Sequence, residues 1–141
     1  MQEVKNSQPI FSIVVPVHNE EETIQIFYDA VQSLKQSLPV TLHYHFVDDG
    51  STDQTLAILR TLSNQDSNVH FLSFSRNFGK EAALYAGLQQ ADGDFVAVMD
   101  VDLQDPPELL PDMLSPVMAG EYDAVGTRRA DRKGEARLRS W

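Results

Sequence analysis

The 141-residue chain contains no cysteine, which excludes disulfides, thiolate metal ligands and thiol catalysis. It also lacks any apolar stretch approaching the roughly 18 residues that cross a bilayer. Residues 1–9 are polar, without the apolar core of a signal peptide, and are expected to be a flexible segment. Basic residues are scarce. Eleven Lys and Arg stand against 21 Asp and Glu, a formal net charge of -10, and such a surface opposes non-specific binding to nucleic acid or anionic lipid. The scarcity is uneven, because Arg128, Arg129, Arg132, Lys133, Arg137 and Arg139 form a basic segment over 128–141 on an otherwise acidic body. Internal repeats and low-complexity tracts are absent. No Gly-x-Gly-x-x-Gly follows the first apolar run, which speaks against a dinucleotide-dependent oxidoreductase.

What is present is an alternation of two periods. With 42% hydrophobic and 23% charged residues the chain can bury one core, expected over 10–127. Ile10 to Val17, Thr41 to Val47, Val69 to Phe74, Phe95 to Met99 and Tyr122 to Thr127 read as strands. Between the first two, Ile24, Phe27, Tyr28, Val31 and Leu34 recur at helical spacing, and Asn19 before three Glu residues is the expected cap. Further helices are expected from Thr52 to about Leu62, from Lys80 to Gln90 and from Leu109 to Met118, the last broken or bounded by Pro111 and Pro116. Strands alternating with helices predict an α/β domain with a mostly parallel sheet and helices on both faces. Arg137 to Trp141 reads as the start of another amphipathic helix that stops short, so the chain is expected to be a truncated one.

The chemistry concentrates beyond the fourth strand. Asp100, Asp102 and Gln104 are spaced by two just where Pro106 and Pro107 end the apolar run, so they fall on a loop at the strand's carboxyl end. Ligands of open α/β sheets bind at that edge. Two carboxylates this close repel unless a hard divalent cation lies between them, and such a cation implies a phosphorylated substrate. Asp48 and Asp49 follow another strand at the same edge, where an acid can accept hydrogen bonds from a base or a ribose, or else simply cap an Asp-Gly-Ser turn. The Arg76-Asn77-Phe78-Gly79-Lys80 loop opens a helix and can offer backbone donors and a cation to a phosphate. The four His residues show no ligand spacing. His43 and His45 lie on one face of a strand, which favours structural roles.

Val15 to Glu21, Val47 to Asp53, Arg76 to Lys80 and Met99 to Glu108, in this order and spacing, resemble glycosyltransferase family 2, of the Rossmann-like GT-A fold. The resemblance is greatest to its polyprenyl-phosphate branch, which holds dolichol-phosphate mannose synthases and bacterial undecaprenyl-phosphate glucosyltransferases. It implies nucleotide-sugar contacts from Pro16, Val17, Glu20, Asp48, Asp49, Asn77, Gly79, Lys80, Asp100, Val101 and Asp102, with Asp49 at the nucleobase. It implies Mg²⁺ or Mn²⁺ held by Asp100, Asp102 and Gln104 against the diphosphate, Asp102 being the more direct ligand. Arg128 is matched to a phosphate contact that serves catalysis beside Asp102, and Arg137 or Arg139 is a further candidate for the acceptor phosphate. His18 departs from the aromatic residue that many relatives carry there.

The implied reaction is inverting transfer of a hexose from a UDP or GDP sugar to a polyprenyl phosphate at the cytoplasmic side of a membrane. Membrane contact would come through segments beyond Trp141, this chain alone being soluble, and a homo-oligomer is left open. The alternative within the family is a sugar hydroxyl acceptor, as on a growing polysaccharide. From another class, an Mg²⁺-dependent phospho-receiver also has an acid pair after one strand and an Asp-Pro loop after another. No Lys follows the last strand as a receiver requires, and the Asp-x-Asp of a haloacid-dehalogenase-like phosphatase belongs on the first strand.

Overall fold

Four apolar runs become the parallel strands of one sheet. In the computed structural model, which describes residues 8–102, 107–118, 125–129 and 136–140, these are β1 (Ile10–Val17), β2 (Thr41–Asp48), β3 (Val69–Ser73) and β4 (Phe95–Val98). Their order is β3-β2-β1-β4, all neighbours parallel. That is the doubly wound order, whose direction of winding reverses between β1 and β4 and leaves a crevice outside the carboxyl ends of those two strands. A phospho-receiver would have its first strand between the second and third instead.

The helices α1 (Ile24–Gln32), α2 (Thr55–Gln65), α3 (Lys80–Gln90) and α4 (Leu110–Met118) cover both faces. Alternation along the strands sorts the side chains. Phe11, Ile13, Val15 and Val17 of β1 and Leu42, Tyr44 and Phe46 of β2 join Ile24, Phe27 and Val31 of α1, Leu59 and Leu62 of α2, and Leu110 and Leu114 of α4 in one core. Tyr28 and Tyr44 enter that core with their hydroxyls satisfied, donating to Asp66 Oδ2 at 2.6 Å and to Gln32 Oε1 at 2.9 Å.

The opposite face belongs to α3. A Cβ on Gly87 would stand 2.5 Å from Val14 Cγ1 and 3.1 Å from Val47 Cγ2, so this helix lies against the sheet where only hydrogen fits. Gly87→Ala should therefore lower stability by about 1–2 kcal/mol, even though alanine is the better helix former by roughly 1 kcal/mol. Thermal denaturation of the variant checks the sign, which propensity alone would reverse.

Three expectations are corrected. Asn19 does not cap α1, which begins at Ile24 after Thr23 and has no side-chain cap. Asn19 has φ of 52°, and its Oδ1 instead accepts the Thr52 amide at 2.8 Å, tying the loop after β1 to the loop after β2. The second helix starts at Thr55 rather than Thr52, because Asp53 Oδ1 accepts the Thr55 amide at 2.9 Å and holds the residues before it in a turn. The described residues of the expected terminal helix, 136–140, are not helical. Ala136–Ser140 forms β6, antiparallel to β5 (Val125–Arg129), in a separate two-stranded sheet. Five residues fit a period of two as well as one of 3.6, and the available partner strand decides. Of the last strand expected over 122–127, residues 122–124 lie outside the described ones.

Candidate functional site

The site follows from how four chain segments end at one edge of the sheet. β1 delivers Pro16 and Val17, and its register with β2 pairs Val17 with Asp48. The Asp49 amide continues that ladder, donating to the Val17 carbonyl at 2.9 Å. β4 lies on the other side of β1 and hands over Asp100, Val101 and Asp102 directly after its last ladder bond, Met99 N–H to Val14 C=O at 3.0 Å. The amino terminus of α3 brings Lys80 and Ala83. Together Pro16, Val17, His18, Glu20, Asp49, Lys80, Ala83, Asp100, Val101 and Asp102 line a cleft of about 310 Å³. It stands at the reversal between β1 and β4 where the strand order expects a ligand.

Within the cleft Lys80 Nζ lies 2.8 Å from Asp100 Oδ1. Both groups are well exposed, so the pair contributes little to stability, but it sets a cation beside the acid loop. Asp102 is exposed toward the same cleft, and Gln104, third of the expected donor set, lies outside the described residues. Carboxylate oxygens on two positions of one loop suit a hard divalent cation such as Mg²⁺ or Mn²⁺, while the imidazole that also lines the cleft, His18, contacts the Asp49 carbonyl and the Asn77 amide. The donor chemistry thus fits the expected metal.

Asp49 is the most tightly held of the acids. It is 4% exposed, and its two carboxylate oxygens accept the amides of Phe78 at 2.7 Å and Gly79 at 3.0 Å. This corrects the expectation that the loop before α3 turns its backbone donors to a phosphate, since two of them are committed to Asp49. His18 Nδ1 contacts the Asp49 carbonyl at 2.7 Å, and the Asn77 amide lies 3.3 Å from His18 Nε2. Asp49→Asn should lower stability by about 1–2 kcal/mol, because an amide NH₂ must then face one of two part-buried N–H donors. Urea denaturation checks it.

The expected residues therefore divide. Pro16, Val17, Glu20, Asp49, Lys80, Asp100, Val101 and Asp102 meet in the cleft. Asp48 does not line it: this residue is 1% exposed and its Oδ1 accepts the Ser51 amide at 3.0 Å, the turn-capping role. Asn77 and Gly79 stand behind the wall, acting on His18 and Asp49. Arg128, Arg137 and Arg139 fall on the β5–β6 hairpin, whose register pairs Arg128 with Arg137 and Gly126 with Arg139. His18 and Ala83 were missed as lining residues. Ala83 is one helical turn from Lys80, a spacing that would have found it.

Glycosyl transferase family 2 matches the chain over residues 12–141. A bactoprenol glucosyl transferase of Shigella phage SfV is 47% identical over 128 residues, covering 91% of this chain and 41% of that protein. An undecaprenyl-phosphate 4-deoxy-4-formamido-L-arabinose transferase of Proteus mirabilis is 42% identical over 124 residues, covering 86% of this chain and 37% of that protein. Among solved structures, glucosyl-3-phosphoglycerate synthase from Mycobacterium tuberculosis, in complex with Mn²⁺, UDP-glucose and phosphoglyceric acid, superposes with a TM-score of 0.61 at 31% identity. It covers 80% of this chain and 40% of that one. The chain spans about two fifths of the length of these relatives. The motifs, the parallel sheet order and these matches agree: the fold is the Rossmann-like GT-A fold, and the chain belongs to glycosyltransferase family 2.

Proposed function

We propose that this chain is the nucleotide-sugar-binding part, over 10–127, of an inverting, metal-dependent glycosyltransferase that passes a hexose from a UDP or GDP sugar to a polyprenyl phosphate. The observation that carries it is the meeting of Asp49, Lys80, Asp100 and Asp102 in one cleft at the carboxyl edge of β1 and β4. The similarity to bactoprenol and undecaprenyl-phosphate transferases supports the acceptor class.

Each residue has a definable task. Asp49 is held by the loop before α3, and each of its oxygens keeps a second lone pair for the N–H of a base. Lys80 offers its ammonium to a diphosphate oxygen, giving up part of its pairing with Asp100 as it does so. Asp100, Asp102 and Gln104 would hold Mg²⁺ or Mn²⁺, which when bound offsets the charge that builds on the leaving diphosphate. Pro16 and Val17 form the apolar floor that positions the base and keeps water from it. Arg128, with Arg137 and Arg139, is assigned to phosphate on the acceptor side. A phosphate monoester has a second pKa near 6 and is already mostly anionic at neutral pH, so attack on the anomeric carbon needs no general base.

Isothermal titration of the chain with UDP-glucose, GDP-mannose and the free diphosphates, with and without Mn²⁺, tests this reading. Binding of one sugar nucleotide should tighten at least tenfold with Mn²⁺. Equal affinity in the presence of a chelator would overturn the metal-dependent part, and no binding of any sugar nucleotide would overturn the whole.

A further inference from the structure

A second group of chemistry-bearing side chains lies under α3, toward the amino-terminal edge of the strands and away from the cleft. His43 and His45 are two apart on β2 and so share a face. Register sets Ser12 of β1 beside His43, and His70 of β3 beside His45. The His70 ring stacks on His43 and on His45, with centroids 5.3 and 5.0 Å apart, and His70 Nε2 stands 3.3 Å from His43 Nδ1. Asp92, two residues past the end of α3, closes over the patch. One ligand atom each from His43, His45 and Asp92 falls within 4.8 Å of the others.

Two buried atoms in this patch are unsatisfied. His45 is 6% exposed and its Nε2 has no hydrogen-bond partner, with Asp92 Oδ1 standing off at 3.8 Å. Ser12 Oγ, buried in the row next to His43, has none either. A buried polar atom left without a partner is costly, so the His45 nitrogen, facing Asp92, calls for a ligand. Room exists. A cavity of about 190 Å³ is bounded by His45, His70, Gly87 and Asp92 among others.

We infer that His43, His45 and Asp92 form a binding site for a borderline transition-metal dication, Zn²⁺ or the chemically similar Co²⁺ or Ni²⁺, separate from the sugar-nucleotide cleft. Two imidazoles and a carboxylate are a zinc-type donor set with a fourth position for water, whereas Mg²⁺ and Mn²⁺ prefer the all-oxygen set on the Asp100 loop. Tetrahedral coordination at about 2.0–2.1 Å wants donors roughly 3.3 Å apart. Asp92 is exposed and can close the difference by a rotamer change. His70 is a positioning residue, turning the His43 ring as outer-shell partners of ligating imidazoles do. The bound ion would staple β2 to the turn after α3, and so fix the far end of the helix whose other end carries Lys80.

Zinc titration of the tag-free chain by calorimetry, together with visible absorption of the Co²⁺ form, tests the site. One equivalent should bind at micromolar affinity or tighter, with the d–d bands of four-coordinate Co²⁺. His43→Gln and Asp92→Asn, both outside the fully buried core, should each weaken binding at least tenfold with circular dichroism unchanged, while Asp102→Ala should retain it. Affinity unchanged in both histidine-site variants, loss in Asp102→Ala instead, or no zinc binding at all would each overturn the assignment. The first of these would assign the ion elsewhere, and the last would leave the orphaned atoms to water.

Discussion

Asp102→Ala should remove the metal-dependent part of sugar-nucleotide binding, lowering affinity in the presence of Mn²⁺ by about 10²-fold or more. Asp102 and Asp100 are the two described carboxylates of the loop after β4 that line the cleft. They are not equivalent. Asp100 is engaged by Lys80 Nζ at 2.8 Å, so part of its charge is already answered by protein. Losing Asp100 would release Lys80 toward the diphosphate, a partial compensation for the lost carboxylate. With Asp102 as the more direct metal ligand implied by the family resemblance, Asp100→Ala is expected to cost less than Asp102→Ala, and Lys80→Ala to weaken binding while leaving its metal dependence intact. A divalent cation held by the acid loop would offset charge on the diphosphate, and each 1.4 kcal/mol it contributed would be tenfold in affinity. Calorimetric titration of the three variants, each with Mn²⁺ and with chelator, reads the ordering directly. Unchanged affinity in Asp102→Ala would remove the acid loop from the binding reaction.

How far the sequence revealed this site depends on the range of the interactions that built it. β1, β2 and β4 were legible because an unbroken apolar run between turn residues needs no partner to be recognised, and their chemistry-bearing ends followed from the rule that ligands meet open sheets at the carboxyl edge. The division of labour between Asp48 and Asp49 was not legible. Asp48 meets a local partner, Ser51, but Asp49 is held by amides 29 and 30 residues further along the chain. Nothing in the spacing of Asp48-Asp49-Gly50 says which acid turns which way. Asn19 failed as a cap for the same reason: its partner is Thr52, on another loop. The histidine patch needed strand register as well, since His70 joins His43 and His45 only because β3 lies beside β2 in parallel. Its donors lie on two segments far apart in the chain, β2 and the turn after α3, and no ligand motif in the sequence marks them.

Gly50→Ala should cost about 4 kcal/mol of stability and disorganise the cleft with it. Gly50 has φ of +70°, a conformation that costs an L-residue about 1 kcal/mol or more. Strain is the smaller part. An added Cβ would lie 2.3 Å from the Arg76 carbonyl carbon and 2.3 Å from the Asn77 amide nitrogen, both backbone atoms with no rotamer to yield. The loop before α3 would have to move, and that loop supplies the Phe78 and Gly79 amides to Asp49. Gly79→Ala is the control that separates the two effects. Its φ of +107° and ψ of 158° suit alanine even less, yet its Cβ would meet nothing within 4 Å, so only strain of about 1–3 kcal/mol is expected. For a domain of this size 4 kcal/mol corresponds to a fall of roughly 10 °C or more in Tm. A Gly50→Ala variant that melts within a few degrees of the parent, or no lower than Gly79→Ala, would mean that the loop before α3 is free to retreat. Asp49 would then not be held as tightly as its two amide bonds indicate.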